Sequence, residues 1–121
     1  MNKVFLDTNI LLDYILDRGV YTVRAEQIID ACLRGEIECC IAPHSLSNIF
    51  YILRKTHSVE ERKFIIKNII AICEVQSLDR QLLEKALDDD RFEDFEDAIQ
   101  MACAEQWRAD TFVTRDKDFS V

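Results

Sequence analysis

Residues 3–15 of the chain read Lys-Val-Phe-Leu-Asp-Thr-Asn-Ile-Leu-Leu-Asp-Tyr-Ile. The first four predict a short apolar strand, and the apolar residues from Ile10 onward recur at helical spacing. Asp7 stands between the two elements, and either Thr8 or Asn9 is expected to cap the helix that follows. Open α/β folds bind their ligands at the carboxyl ends of parallel strands. The Asp7 carboxylate therefore falls where such a fold is expected to have its site.

The same alternation of strand and helix continues to the end of the chain. Further strands are predicted at 37–42, 73–78 and 111–114, and further helices at 20–33, 44–55, 58–72, from 79 onward and at 93–108. Two glycines and one proline in 121 residues indicate short connections. The pattern predicts one domain over residues 1–121, of class α/β, with a mostly parallel sheet of about four strands covered by helices on both faces.

The charge of the chain is strongly negative. The formal net charge is −8, and eight carboxylates lie between Glu84 and Asp97 against the two bases Lys85 and Arg91. A protein that holds nucleic acid by bulk electrostatics needs clustered Lys and Arg, so this class is disfavoured. A nuclease is still compatible with the charge, because bound divalent cations offset local acidity.

Five cysteines form no Cys-x-x-Cys pair, and their number is odd. Since the chain shows no signal peptide, reduced thiols in a cytoplasmic protein are expected. A zinc site is disfavoured, because only His44 and His57 could complete it and neither has the spacing of a zinc finger. Both histidines are expected at the surface or at helix caps. No apolar run is long enough to span a membrane.

Carboxylates recur at the ends of predicted elements. If the first and fourth strands are neighbours, Asp7, Asp97 and Asp116 converge, and Asp94 shares a helix face with Asp97. Clustered carboxylates repel one another unless a cation neutralises them. Hard oxygen ligands select Mg²⁺ or Mn²⁺, and such an ion supports phosphodiester hydrolysis. Asp13, in the first helix, is expected to be a solvated residue.

Three segments resemble the motifs of PIN domains, the family that includes the VapC-type toxins. Residues 5–13 resemble the opening motif of the family, residues 94–100 resemble the third motif, and residues 113–119 resemble the closing motif. They follow one another in the expected order, and together they cover nearly the whole chain.

The resemblance implies a three-layer α/β/α sandwich that cleaves single-stranded RNA with Mg²⁺ or Mn²⁺. It assigns Asp7, Asp97 and Asp116 as catalytic and metal-binding acids, with Asp94 as a further metal-site acid. A cognate antitoxin and a homodimer are the partners it implies. Further residues are expected to support the site or to contact RNA: Thr8, Asn9, Ser45, Asn48, Thr114 and Asp118 in support, Arg115 and Lys117 on the RNA.

The chain departs from the family pattern in two places. Asn48 occupies the position where the family usually has a second-motif glutamate, and an amide is a weaker ligand that cannot act as a base. A catalytically weak or inactive PIN-like module that binds RNA or protein is therefore the alternative function. The chain also ends soon after Phe119, so the usual C-terminal edge strand is expected to be missing or trimmed.

Simpler interpretations of several residues remain open. Asp7 and Ser45 could each act as a helix N-cap, and Asp94 could be an acid that the helix macrodipole favours near a helix N-terminus. None of these roles requires a ligand. A phosphatase that uses Asp7 as its nucleophile is a third function class. It is disfavoured because Asn9 stands where such enzymes need a second acid.

Overall fold

The computed structural model describes residues 1–115 of the chain. Four strands lie in this part, namely β1 (Asn2–Leu6), β2 (Ile37–Ile41), β3 (Glu74–Val75) and β4 (Thr111–Val113). Six α-helices accompany them, namely α1 (Thr8–Ile15), α2 (Val20–Leu33), α3 (Pro43–Ile52), α4 (Val59–Ile72), α5 (Arg80–Leu87) and α6 (Phe95–Trp107). A single 3₁₀ turn, Leu53–Lys55, follows α3.

The four strands form one parallel sheet in the order β3-β2-β1-β4. β1 is central, and Leu6 at its end pairs in register with Val113 of β4. The expectation that the first and fourth strands are neighbours is therefore confirmed. Because all the strands run the same way, the segments that follow β1, β2 and β4 emerge at one edge of the sheet.

Alternate residues of β1 face two separate cores. Val4 and Leu6 pack on the face covered by α1 to α4. Phe5 packs on the opposite face with α5 and α6, where its ring stacks on Phe112 with the centroids 5.3 Å apart. Helices cover both faces of the sheet, so the expected three-layer α/β/α sandwich is confirmed.

Local signals predicted some helix starts correctly and others wrongly. Ser58 and Glu61 form the expected capping box at α4, and the Asp79 carboxylate caps α5 by accepting from the amide of Leu82. Thr8 and Asn9, by contrast, do not cap α1, because both lie inside it and Asp7 is the N-cap residue. Pro43 starts α3 instead of merely ending the preceding strand, since its missing N–H costs nothing in the first turn.

The third strand is shorter than expected. The sequence predicts a strand over residues 73–78, but only Glu74–Val75 pair as a strand. Gln76 adds one more hydrogen bond, from its amide to the carbonyl of Ile41 at 3.0 Å. β3 lies at one edge of the sheet, and both of its residues are exposed. Short edge strands are common in such sheets.

The cysteines are free, and four of the five are buried. Burial raises the pKa of Cys103 to about 11 and that of Cys40 to about 12, so both thiols are protonated at neutral pH. Among the six helices of residues 1–115, none has the length and apolar character needed to cross a membrane.

Candidate active site

Asp7 lies at the carboxyl end of the central strand and is 4% exposed. Its amide donates to the carbonyl of Val113 at 3.1 Å, which continues the pairing of β1 with β4 by one residue. Although Asp7 occupies the N-cap position of α1, its side chain makes no capping hydrogen bond. Instead Oδ2 accepts from the hydroxyl of Thr114 at 2.8 Å. The buried carboxylate is therefore oriented by Thr114, the residue that follows β4, and it does not cap its own helix.

Asp94 and Asp97 lie at the start of α6. Asp94 is the N-cap residue, and its Oδ1 accepts from the amide of Asp97 at 3.1 Å. Asp94 is exposed, whereas Asp97 is half-buried in the first turn. The Asp94 side chain therefore caps α6, at the helix end where the macrodipole favours an acid.

A cleft of about 310 Å³ brings Asp7 and Asp97 together at the carboxyl edge of the sheet. Five of the residues expected at the site line it: Asp7, Thr8, Asn9, Asn48 and Asp97. Five others complete the lining: Leu12, Tyr51, Ile52, Glu96 and Gln100. The cleft therefore lies between α1 and α3 on one side and the first turns of α6 on the other.

Two hydrogen bonds tie the start of α1 to its neighbours. The hydroxyl groups of Thr8 and Ser45 lie 2.7 Å apart, and the amide of Thr8 donates to Oε1 of Gln100 at 3.2 Å. Ser45 is fully buried inside α3, whose N-cap residue is Ala42, so the interpretation of Ser45 as a cap is wrong. Ser45 and Gln100 instead fix the turn that follows Asp7.

Asn48 contacts an acid that the sequence did not single out. Its Nδ2 donates to Oε2 of Glu96 at 3.1 Å. Glu96 adjoins Asp97 in the chain and lines the same cleft. The signal that could have found it is its place beside Asp97 in the third motif, but only tertiary contact shows that α3 faces it.

The donor set of the cleft suits a hard divalent cation. Carboxylates of Asp7 and Asp97 lie beside amide groups of Asn48 and Gln100, and oxygen donors of this kind select Mg²⁺ or Mn²⁺ over zinc. Within residues 1–115 no three carboxylate, imidazole or thiol groups form a ready ligand set. The third expected acid, Asp116, falls outside the described residues, as do Lys117 and Asp118.

A family model described as the PIN domain matches residues 3–118. This chain belongs to the PIN domain family. The resemblance of its three motifs is thereby confirmed over nearly the full sequence.

Individual relatives of this PIN domain agree with the assignment. A protein named ribonuclease VapC1 from Aquifex aeolicus (strain VF5) is 26% identical over 123 residues, which cover 97% of this chain and 83% of that protein. The crystal structure of the Mycobacterium tuberculosis toxin VapC20, described as cleaving the sarcin-ricin loop, superposes with a TM-score of 0.74 at 16% identity. That match covers 96% of this chain and 92% of VapC20.

Two further solved structures contain a similar fold. VapBC2 from Rickettsia felis, bound to a DNA fragment from its promoter, matches with a TM-score of 0.69 at 16% identity, covering 97% of this chain and 90% of that chain. A toxin–antitoxin complex from Klebsiella pneumoniae matches with a TM-score of 0.73 at 20% identity and the same coverage. At these identities the structures establish the fold of the PIN domain only.

His44 is less exposed than the sequence suggested. Both ring nitrogens are buried, and neither has a hydrogen-bond partner within the described part of the chain. Burial lowers the pKa of His44, while the charges of Glu96, Asp7 and Asp94 oppose this shift. The expectation of a surface or capping residue is therefore wrong, and the neutral imidazole is favoured at pH 7.

Asp13 is not solvated, which corrects the sequence-based expectation. It is 1% exposed, and its Oδ1 accepts from Arg18 at 3.2 Å and from Arg115 at 2.9 Å. The Arg115 guanidinium also lies over the ring of Tyr21, 4.1 Å from its centroid. Arg115, expected to contact RNA, is thus engaged within the PIN domain and does not line the cleft of Asp7.

Proposed function

We propose that this PIN domain is a metal-dependent endoribonuclease that cleaves single-stranded RNA. The single observation that carries the proposal is the shared cleft of Asp7 and Asp97 at the carboxyl edge of the sheet. The name of the Aquifex relative, a ribonuclease, supports the reaction class. The PIN family model supports the site, because the match includes all three motif segments up to residue 118.

Each residue of the cleft has a distinct part in this proposal. Asp7 and Asp97 supply the carboxylate oxygens that hold Mg²⁺ or Mn²⁺, and Asp116 is the third acid. When bound, the ion supplies charge stabilisation at the phosphoryl group and activation of water. Thr114 orients the Asp7 carboxylate. Asp94 contributes through the first turn of α6, since it caps the amide of Asp97.

A bound cation also resolves a charge problem of the substrate. A chain with a net charge of −8 repels the phosphates of RNA. A divalent ion held by Asp7 and Asp97 would reverse the sign of the local charge where a phosphate approaches. We therefore expect RNA binding to depend on the divalent cation as strongly as cleavage does.

The test compares cleavage of a labelled single-stranded RNA by the wild type, Asp7→Asn and Asp30→Asn in the presence of Mn²⁺. Asp30 is exposed on α2 and does not line the cleft, so its substitution makes the same charge change elsewhere. We expect Asp7→Asn to lose about 100-fold or more in rate, because several kcal/mol of charge stabilisation depend on the ion. Equal cleavage by all three proteins would indicate a contaminating nuclease.

A binding module with little catalysis is the second candidate function, and Asn48 is the observation that favours it. Titration calorimetry with Mn²⁺ separates the two candidates. A nuclease is expected to bind the ion below millimolar concentration and to lose that binding in Asp7→Asn. Heat of binding that is absent at millimolar Mn²⁺ would favour the module.

We further propose an antitoxin partner and a homodimer in the cytoplasm. The apolar side chains exposed on three helices are the surface that we expect a protein partner to cover. They lie on α2, at the end of α3 and on α4: Val20, Tyr21, Val23, Leu33, Tyr51, Ile52, Val59, Phe64 and Ile70. The Rickettsia and Klebsiella neighbours are toxin–antitoxin assemblies.

Light scattering after gel filtration tests the homodimer. We expect twice the chain mass of 14.2 kDa at micromolar concentration. A charged substitution at Phe64, which is 67% exposed on α4, tests whether this surface takes part. A monomeric mass for the wild type would contradict the homodimer.

A further inference from the structure

The resemblance to PIN domains places Asn48, which lies on α3, where the family usually has a second-motif glutamate. We propose that Glu96, in the first turn of α6, supplies the missing carboxylate, and that Asn48 is the positioning residue that holds it at the cleft. This inference rests on the proposed ribonuclease function and deepens it.

The contact joins two helical layers that the sheet separates. α3 packs Ile49 into the core that α1 to α4 share, whereas α6 belongs to the core on the other face of the sheet. The bond from Nδ2 of Asn48 to Oε2 of Glu96, 3.1 Å long, crosses from one layer to the other at the carboxyl edge. Both residues line the cleft that contains Asp7 and Asp97.

The residue types at the two positions are complementary. A carboxylate only accepts hydrogen bonds, and an amide NH₂ donates them. A glutamate at position 48 would face the Glu96 carboxylate, and the two like charges would repel one another. Asparagine at that position turns the repulsive pair into a hydrogen bond. The cleft then keeps the carboxylate, which approaches from α6 instead of α3.

Glu96 acts from the rim of the cleft. It is exposed, and together with Asp7 and Asp97 it forms no ready set of three ligands within residues 1–115. Its charge nevertheless lies beside the two buried or half-buried acids, where it strengthens the attraction for a divalent cation. Outer partners of this kind typically change metal affinity by about 10- to 100-fold when they are substituted.

The experiment is a double-mutant cycle read out by Mn²⁺ calorimetry, with RNA cleavage as a second readout. The proteins are the wild type, Glu96→Gln, Asn48→Ala and the double variant. We expect Glu96→Gln to bind Mn²⁺ about 10-fold more weakly. If Asn48 acts through Glu96, Asn48→Ala weakens binding in the wild type but adds nothing to Glu96→Gln. Additive losses would overturn the positioning role of Asn48.

Glu93→Gln is the matched control. Glu93 is also exposed and lies three residues earlier, but it does not line the cleft. Glu93→Gln removes the same charge, but at a position outside the cleft. The Mn²⁺ affinity of this variant is therefore expected to stay within about twofold of that of the wild type. Melting temperatures of all variants show whether they are folded. The melting temperature of Glu96→Gln is expected to equal that of the wild type, because the Glu96 side chain is exposed.

A swap of the two side chains tests the relocation directly. In the variant Asn48→Glu with Glu96→Gln, the carboxylate returns to α3 and the new amide on α6 can donate to it. We expect this double variant to recover Mn²⁺ affinity to within about threefold of the wild type, whereas Glu96→Gln alone does not. Failure of a folded swap variant to recover would overturn the idea that the carboxylate has moved between helices.

The outcomes separate this inference from the function on which it rests. Wild-type Mn²⁺ binding and cleavage that persist unchanged in Glu96→Gln would overturn the role of Glu96 alone. A wild type that neither binds Mn²⁺ nor cleaves RNA would overturn both.

Discussion

At the scale of single residues, the hydroxyl of Thr114 is the direct support of the Asp7 carboxylate. Asp7 is nearly inaccessible at 4% exposure, and burying a polar group without a hydrogen-bond partner is costly. The bond from Thr114 at 2.8 Å supplies one such partner from the residue that follows the neighbouring strand β4. The orientation of the carboxylate therefore depends on β4 as well as on β1.

Thr114→Val should lower Mn²⁺ affinity and RNA cleavage by about 10-fold, because the outer partner of a metal-binding carboxylate is lost. Thr114→Ser keeps the hydroxyl group and should retain both properties. Calorimetry and initial cleavage rates measure the two effects. Wild-type behaviour of Thr114→Val would show that the hydrogen bond does not orient Asp7.

His44 carries a cost in stability at the scale of a single residue. Both nitrogens of the ring are buried without a partner among residues 1–115. An unsatisfied buried polar group typically costs about 1–3 kcal/mol. Three carboxylates nearby, those of Glu96, Asp7 and Asp94, still favour its charged form, but burial outweighs them.

At the scale of elements, α6 follows Asp94, which is a candidate both for capping the helix and for binding a metal ion. Asp94 caps the helix, and the capped amide belongs to Asp97. A cap substituted by alanine typically costs about 1 kcal/mol. Because the cap fixes the first turn, its loss is expected to disturb the placement of both Glu96 and Asp97.

Substitutions at Asp94 can distinguish capping from metal binding. Asp94→Ala should lower the free energy of unfolding by about 1 kcal/mol and reduce cleavage, whereas Asp94→Ser, which keeps a cap, should retain both. Urea denaturation and cleavage rates provide the comparison. A stable Asp94→Ser protein that has lost its Mn²⁺ affinity would show that Asp94 is a ligand after all.

A second relation between elements joins α1 to the segment that follows β4. The buried carboxylate of Asp13 pairs with Arg18 and Arg115, whose side chains are 32% and 33% exposed. Arg115 directly follows Thr114 in the chain, so Asp13 anchors the segment that presents the partner of Asp7. Partial exposure of both arginines limits the energy of the pairs through solvent screening.

Asp13→Ala should lower the free energy of unfolding by about 1–3 kcal/mol, less than for a fully buried ion pair because both arginines remain partly hydrated. Asp17→Ala, at an exposed position four residues later, is the matched control and should change stability by less than about 0.5 kcal/mol. Urea denaturation measures both values. Equally small changes in the free energy of unfolding for the two variants would show that Asp13 does not anchor the segment that follows β4.

At the scale of the whole molecule, acidity and cation binding are linked. The net charge of −8 includes the carboxylates of the cleft, which repel one another in the absence of an ion. A ligand that binds only the folded state stabilises it, by about 2.7 kcal/mol at a concentration 100 times its dissociation constant. The stability of the fold should therefore depend on divalent cations.

Saturating Mn²⁺ should raise the melting temperature of the wild type by several degrees and leave that of Asp7→Asn nearly unchanged. Without added metal, Asp7→Asn should be at least as stable as the wild type, because a repelling charge has been removed. Thermal denaturation with Mn²⁺ or with a chelator measures both. An equal Mn²⁺ shift in the two proteins would place the ion elsewhere.

The sequence by itself determined the order of the elements, the sandwich and the family. Periodicity in residues 3–15 already shows an apolar strand, an acid and a helix, and the apolar pattern of a strand or helix is a local property of the chain. Capping at Ser58 and Asp79 was equally readable, because each cap involves residues three apart.

Only the tertiary structure decided which side chains meet. Asn48 faces Glu96, Asp13 pairs with Arg115, and Thr114 donates to Asp7, across separations of 48, 102 and 107 residues. The spacing of apolar residues indicates whether a residue lies on a strand or on a helix. The partner of a polar side chain, however, depends on how the helices pack on the sheet. The buried charge of Asp13 and the carboxylate of Glu96 at the cleft therefore emerged only from the packed fold.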